Sequence, residues 1–160
     1  MAISADMADA ASITSAFAAV SERWGQLNCL VHTIGPGDGY FEELDDAAWD
    51  AAFTLDTMSG VRAIRAALPL LRAADWACVV TLSAHSIQRQ NPRLVAYTAS
   101  KAALSSVTKN LSKSLAKDGI LVNCVCPGTI VTASFTEQLK DLLVRRRTRC
   151  HQPVRRHGLD

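Results

Sequence analysis

The chain has 160 residues, enough for one domain with its own hydrophobic core, and 49% are apolar against 20% charged. No run approaches the ~18 consecutive apolar residues of a membrane helix. The start, Met1-Ala2-Ile3-Ser4-Ala5-Asp6, lacks the basic and apolar regions of a secretory leader. The net charge of +2 hides an asymmetry: residues 1–144 carry 11 Lys/Arg and 14 Asp/Glu, whereas 145–160 carry six Arg and one Asp. Residues 1–144 therefore read as one mildly acidic domain, and 145–160 as an Arg-rich, disordered tail. A nucleic-acid-binding arm is the competing reading of that tail, and a body without a basic face argues against it. A tail read after a frame change fits as well. Cys29, Cys78, Cys124, Cys126 and Cys150 include no Cys-x-x-Cys pair, and three lie in apolar strand-like runs. That pattern points to buried free thiols rather than metal ligands or disulfides, and to a reducing cytoplasm.

In chain order, Asp9 caps a predicted helix from Ala10 to about Trp24, with Ile13, Phe17 and Val20 at helical spacing and Gly25 as its stop. Leu27 to Ile34 is a short apolar run, bounded by Gly35-Pro36-Gly37-Asp38-Gly39, and fits a parallel strand buried on both faces. Two helices follow, from about Glu43 to Asp56 and from about Thr57 to Arg72, with Pro69 a kink or early terminator. Ala77 to Leu82 is a second buried strand. Val95 to Lys117 is a long helix stopped by Asp118-Gly119, and Ile120 to Val125 a third strand closed by Pro127-Gly128. A weaker helix spans about Ser134 to Val144. Alternation of this kind predicts right-handed crossovers and a parallel sheet covered on both faces. Chemistry then collects at the carboxyl ends of the strands, near Ile34, Ser83 and Val125.

Tyr97-Thr98-Ala99-Ser100-Lys101 places a phenol and an ammonium one helical turn apart on the same face. A phenol of pKa near ~10 is a poor acid–base group at neutral pH, and a nearby cation favours the phenolate. The pair is therefore expected to exchange a proton with a carbinol or carbonyl oxygen.

Leu30-Val31…Gly35, Val79-Val80-Thr81-Leu82-Ser83, Tyr97 through Leu104, and Val122-Asn123-Cys124-Val125-Cys126-Pro127-Gly128-Thr129-Ile130-Val131-Thr132 occur in order at suitable intervals. Together they resemble the short-chain dehydrogenase/reductase family, from about Ser4 to Leu143. The resemblance implies a partial Rossmann-like, doubly wound α/β sheet holding strands four to six of the family order. It implies an NAD- or NADP-dependent oxidoreductase that interconverts a small alcohol and its carbonyl. Tyr97 would be the acid–base catalyst, Lys101 its pKa-lowering partner and ribose contact, and Ser83 the group that steadies the substrate oxygen. Gly35, Pro127, Gly128, Ile130 and Thr132 would line the cofactor, and Asp6 would meet the adenine, a plain surface carboxylate being its competing reading. The helices 57–72 and 95–117 resemble those that pair family members into homo-oligomers.

Several positions depart from the family pattern. Counting back from the tyrosine places the serine on Ala84, so Ser83 needs one extra loop residue, with Ser86 as the fallback. The helix asparagine that holds a relay water in the family falls on Thr57. His32 stands at a strand end with no carboxylate partner in sequence and reads as structural. The family's opening Thr-Gly-x-x-x-Gly-x-Gly turn, which holds the pyrophosphate, has no counterpart here, so weak cofactor binding is expected. A non-catalytic interaction module is accordingly the alternative reading. The expected strand edges, lacking their family neighbours, favour self-association.

Overall fold

The computed structural model describes residues 1–35, 39–128 and 130; the expected helix 134–144, the tail 145–160 and Thr132 lie outside the described residues. Met1–Gly128 forms one compact unit. Helix α1 is Ala10–Trp24, as its punctuation predicts. The Asp9 carboxylate accepts from the backbone N–H of Ser12 at 2.8 Å, satisfying an orphan donor of the first turn. Gly25 ends the helix at φ 68°, a left-handed conformation that a side chain would strain.

Strand β1 is Cys29–His32, shorter than the predicted Leu27–Ile34. The Leu27 N–H donates at 3.0 Å to the carbonyl of Leu70 in a later helix, so it is lost to the sheet. Helix α2, Asp46–Ala52, runs without interruption through a π turn, Phe53–Met58, into helix α3, Ser59–Ala73. The sequence predicts two helices; the observed element is one, widened by an extra residue where Ser59 N–H bonds to the Thr54 carbonyl. Pro69 sits inside α3, which continues to Ala73, so it does not terminate the helix.

Strand β2, Ala77–Leu82, and strand β3, Ile120–Val125, match their predicted limits. Between them lies helix α4, Val95–Ser114, followed by a 3-10 turn, Ala116–Asp118, and Gly119. Its inward stripe, Ala96, Ser100, Leu104 and Thr108, repeats every fourth residue and, Leu104 apart, is small or hydroxylic. Thr81 and Thr108 share a hydrogen bond at 2.8 Å, so helix and sheet are joined by polar contact as well as packing.

The sheet is parallel in the order β1-β2-β3. Leu30, Val79 and Val122 stand in register and, with Ala77 and Ile120, meet Ile64, Ala67 and Leu71 of α3 and Leu115 beyond α4 in the core. The opposite face differs from expectation, because the described helices leave it bare. Val31 is 53% exposed, Leu121 66% and Val125 48%. The reason is topological: both crossovers step in the same direction, and right-handed connections of one direction lie on one side. Burial on two faces would need a reversal of strand order, which these three strands do not contain.

The asymmetry has a measurable consequence. Leu71→Ala on the covered face should cost about 3 kcal/mol of stability, whereas Leu121→Lys on the open face should change it by less than ~0.5 kcal/mol. Urea unfolding of the two variants separates these outcomes; equal losses would mean that the bare face is packed in solution.

Candidate active site

The strand ends, the π turn and the first turns of α4 converge on Lys101. Its side chain is only 2% exposed. The ammonium donates to the carbonyls of Ile34, just past β1, and of Leu82 at 3.0 Å, at the end of β2. A cation so desolvated persists because both carbonyls lie at strand ends, where no ladder partner competes for them. Gly35 is required by the same approach. A Cβ there would lie 2.6 Å from Lys101 Cε, 2.7 Å from Nζ and 3.1 Å from Asp56 Oδ1.

Asp56 is the residue of this cluster that sequence reasoning missed. It is fully buried in the π turn and accepts from the Ser100 hydroxyl at 2.6 Å. Its Oδ1 has no hydrogen-bond partner. Burial raises its pKa, opposed by the Ser100 hydrogen bond and the charge of Lys101. Thr57, the position onto which the family asparagine counts, donates its hydroxyl to the Ser100 carbonyl at 2.8 Å, and Asp56 is the charge that acts on the ammonium. The only sequence signal was an acidic residue between Leu55 and Thr57 inside a helix, which reads equally well as a solvent-facing position.

Tyr97 lies on the same face of α4, with the Lys101 Nζ 5.6 Å from its ring centroid. The expected lowering of the phenol pKa does not occur. Burial holds it above its ordinary value and the charge of Asp56 adds to the rise. The Lys101 pKa falls through desolvation, with Asp56 and Cys124 pulling the other way. The ammonium thus spends its hydrogen bonds on two backbone carbonyls, while Asp56 acts on it through charge and the Tyr97 ring lies beside it.

Ser83 is buried, donating to the Lys101 carbonyl at 3.0 Å and accepting from Ser105 at 2.8 Å. Ser86, the fallback, is half-buried and accepts from the Thr98 hydroxyl at 3.0 Å. The segment after β3 runs beside this corner, since Ser83 N–H donates to Val125 at 2.8 Å and His85 N–H to Pro127 at 3.0 Å. A Cβ added at Gly128 would meet open space. Asp6 is exposed, and its carboxylate is taken by the local turn through the Ala8 N–H at 2.8 Å. Among the described residues no hydrogen bond ties it to the cluster. Ile130 is exposed.

His32 is buried at the end of β1, and burial followed by the charge of Lys101 lowers its pKa to about 4. Ser59 spends its proton on the Leu55 carbonyl, so it accepts at 2.8 Å from an Nε2–H of His32. The unpartnered Nδ1 is then the basic nitrogen. A neutral, packed imidazole agrees with the structural reading of this residue.

A cleft of about 790 Å³ lies on the outer side of α4, lined by Tyr40, Phe41, Pro92, Val95, Ala99 and Ala102 among others. Neither Tyr97 nor Lys101 is among its lining residues. Tyr97 borders a smaller recess of about 70 Å³ with Leu44, Ala48 and Ala52.

The profile of the enoyl-(acyl carrier protein) reductase family matches residues 1–159. The chain is 30% identical over 141 residues to a D-beta-hydroxybutyrate dehydrogenase of Rhizobium meliloti, covering 86% of this chain and 54% of that one. It is 29% identical to the 3-oxoacyl-(acyl-carrier-protein) reductase FabG of Staphylococcus aureus, covering 99% and 64%. Among solved structures, an NADH-dependent reductase complexed with NAD superposes with a TM-score of 0.75 at 28% identity, over 79% of this chain and 56% of that one. A short-chain dehydrogenase from Streptomyces avermitilis gives 0.77 at 34%, over 83% and 49%. The chain spans roughly half to two-thirds of the length of these relatives.

Replacing the buried carboxylate tests the electrostatics directly. In a Tyr40→Phe background, which leaves Tyr97 as the only tyrosine, Asp56→Asn should move the phenolate absorbance transition to lower pH. An unmoved or upward-shifted transition would show that Asp56 does not act on Tyr97.

Proposed function

The chain belongs to the short-chain dehydrogenase/reductase family, and from that premise we propose that it encodes a nicotinamide-dependent oxidoreductase site acting on a small carbonyl or alcohol. The observation that carries this reading is the shared helical face of Tyr97 and Lys101, with Lys101 fixed to two strand ends. The family relationship implies NAD or NADP, and the residues at the nicotinamide end fit such a group. Two of the three Lys101 donors are committed to carbonyls, leaving one, and the backbone at Gly128 is open on its Cα side. Lys101, Pro127 and Gly128 would hold the cofactor, which when bound supplies or accepts the hydride.

The protein's own share is the proton. With its pKa raised, the Tyr97 phenol is protonated at neutral pH and suited to donate to a carbonyl oxygen. Ser83, already bonded to the Lys101 carbonyl and to Ser105, would fix the edge against which the substrate oxygen is presented. Turnover of NADH or NADPH on a panel of small ketones and aldehydes should be detectable and should fall at least ~100-fold in Tyr97→Phe. Equal rates in the two proteins would reject the assignment of Tyr97.

The same reading gives a second copy of the chain a place to dock. The outer cleft of α4 combines apolar small residues with Phe41, which is 69% exposed. Homo-oligomerisation through this face is supported by that surface. Sedimentation equilibrium should find a dimer or larger species, weakened by Ala102→Arg; a monomer at all concentrations would remove this proposal.

A further inference from the structure

Two cysteines stand side by side away from the strand-end cluster. Cys29 of β1 and Cys78 of β2 are register partners in the parallel ladder, so their side chains leave the sheet on the same face. That face is the bare one. Cys29 is exposed and Cys78 half-buried, which corrects the expectation that both thiols are buried. Leu121 shares their register row, and Val31, Val80 and Asn123 form the next row on that face, none of them ionisable.

We propose that Cys29 and Cys78 form a dithiol site for a soft, thiophilic centre that bonds two sulfurs, the chemistry shared by monovalent copper and trivalent organoarsenicals. Three physical points select this class. Adjacent strands lie about 4.8 Å apart, and register partners keep their Cβ atoms at a similar separation. A relaxed disulfide wants Cβ atoms about 3.5–4.5 Å apart, so a bridging atom suits the spacing better than a direct S–S bond. Among the described residues no group of three or more His, Cys, Asp or Glu is placed to hold a metal ion, so tetrahedral zinc lacks its ligand set. Thiolates alone select soft ions, and two suffice for a centre of low coordination number.

The chemistry closes without an oxidant. With phenylarsine oxide, the As=O bond and two S–H bonds break, two As–S bonds form, and oxygen leaves as water with both thiol protons. With monovalent copper, two S–Cu bonds form and two protons pass to solvent. The Cys29 contact raises the Cys78 pKa, and binding through sulfur must displace the thiol protons. Uptake should consequently strengthen as pH rises.

The test uses the reduced 160-residue chain. Phenylarsine oxide should give one adduct per chain by intact mass, resistant to mercaptoethanol and released by dithiothreitol. Alkylation of the wild-type adduct followed by peptide mapping should find Cys29 and Cys78 protected, which needs no variant to fold. Cys29→Ser and Cys78→Ser should each weaken retention roughly tenfold or more. Monovalent copper, titrated against bathocuproine disulfonate, should show the same dependence on both residues. Protection of Cys124 and Cys126 instead, or binding by either probe that survives both substitutions, would overturn the site.

Discussion

The buried ammonium of Lys101 is the constraint around which the unit is arranged. It joins the end of β1 to the end of β2 through the carbonyls of Ile34 and Leu82, while its own helix packs over β3. A buried cation with one partner removed is costly, so the strand ends, Gly35 and the π turn are fixed together or not at all. Asp56 completes the compensation from the other side. The outcome is a charge centre that holds geometry first and perturbs its neighbours second. Tyr97 feels the carboxylate, and its phenol is harder to ionise than a lone Tyr–Lys pair on a helix would suggest.

Much of this was legible in the sequence wherever punctuation was explicit. Asp9 and Gly25 bound α1 to the residue, and continuous β-branched runs located β2 and β3. β1 came out short because Leu27 bonds to α3, a tertiary preference that a local apolar run does not encode. The shared face of Tyr97 and Lys101 follows from 3.6-residue periodicity alone. The electrostatics did not follow. Spacing gives the distance between a phenol and an amine, but not the third charge that arrives from another helix, nor the carbonyls that claim the amine's protons.

The polar nature of the α4 contact has the same origin. Ser100, Ser105 and Thr108 look like indifferent helix residues in sequence, yet each bonds across or along the interface. Their small size lets the helix approach closely enough for Lys101 to reach past β2. Gly60 continues the theme on α3, where a Cβ would come within 3.1 Å of Leu104 and 3.3 Å of His32. Close approach of the two helices to the sheet is thus specified by what their facing residues lack.

The π turn between α2 and α3 carries an implication of its own. A single surplus residue rotates everything downstream by about 100° relative to an unbroken helix. Because of that phase slip, Asp56 and Thr57 look toward α4 while Ile64 and Leu71 still look toward the strands. Excising one residue there would make a more regular helix and a worse protein: either the carboxylate would swing away from the ammonium, or the greasy stripe of α3 would turn toward water.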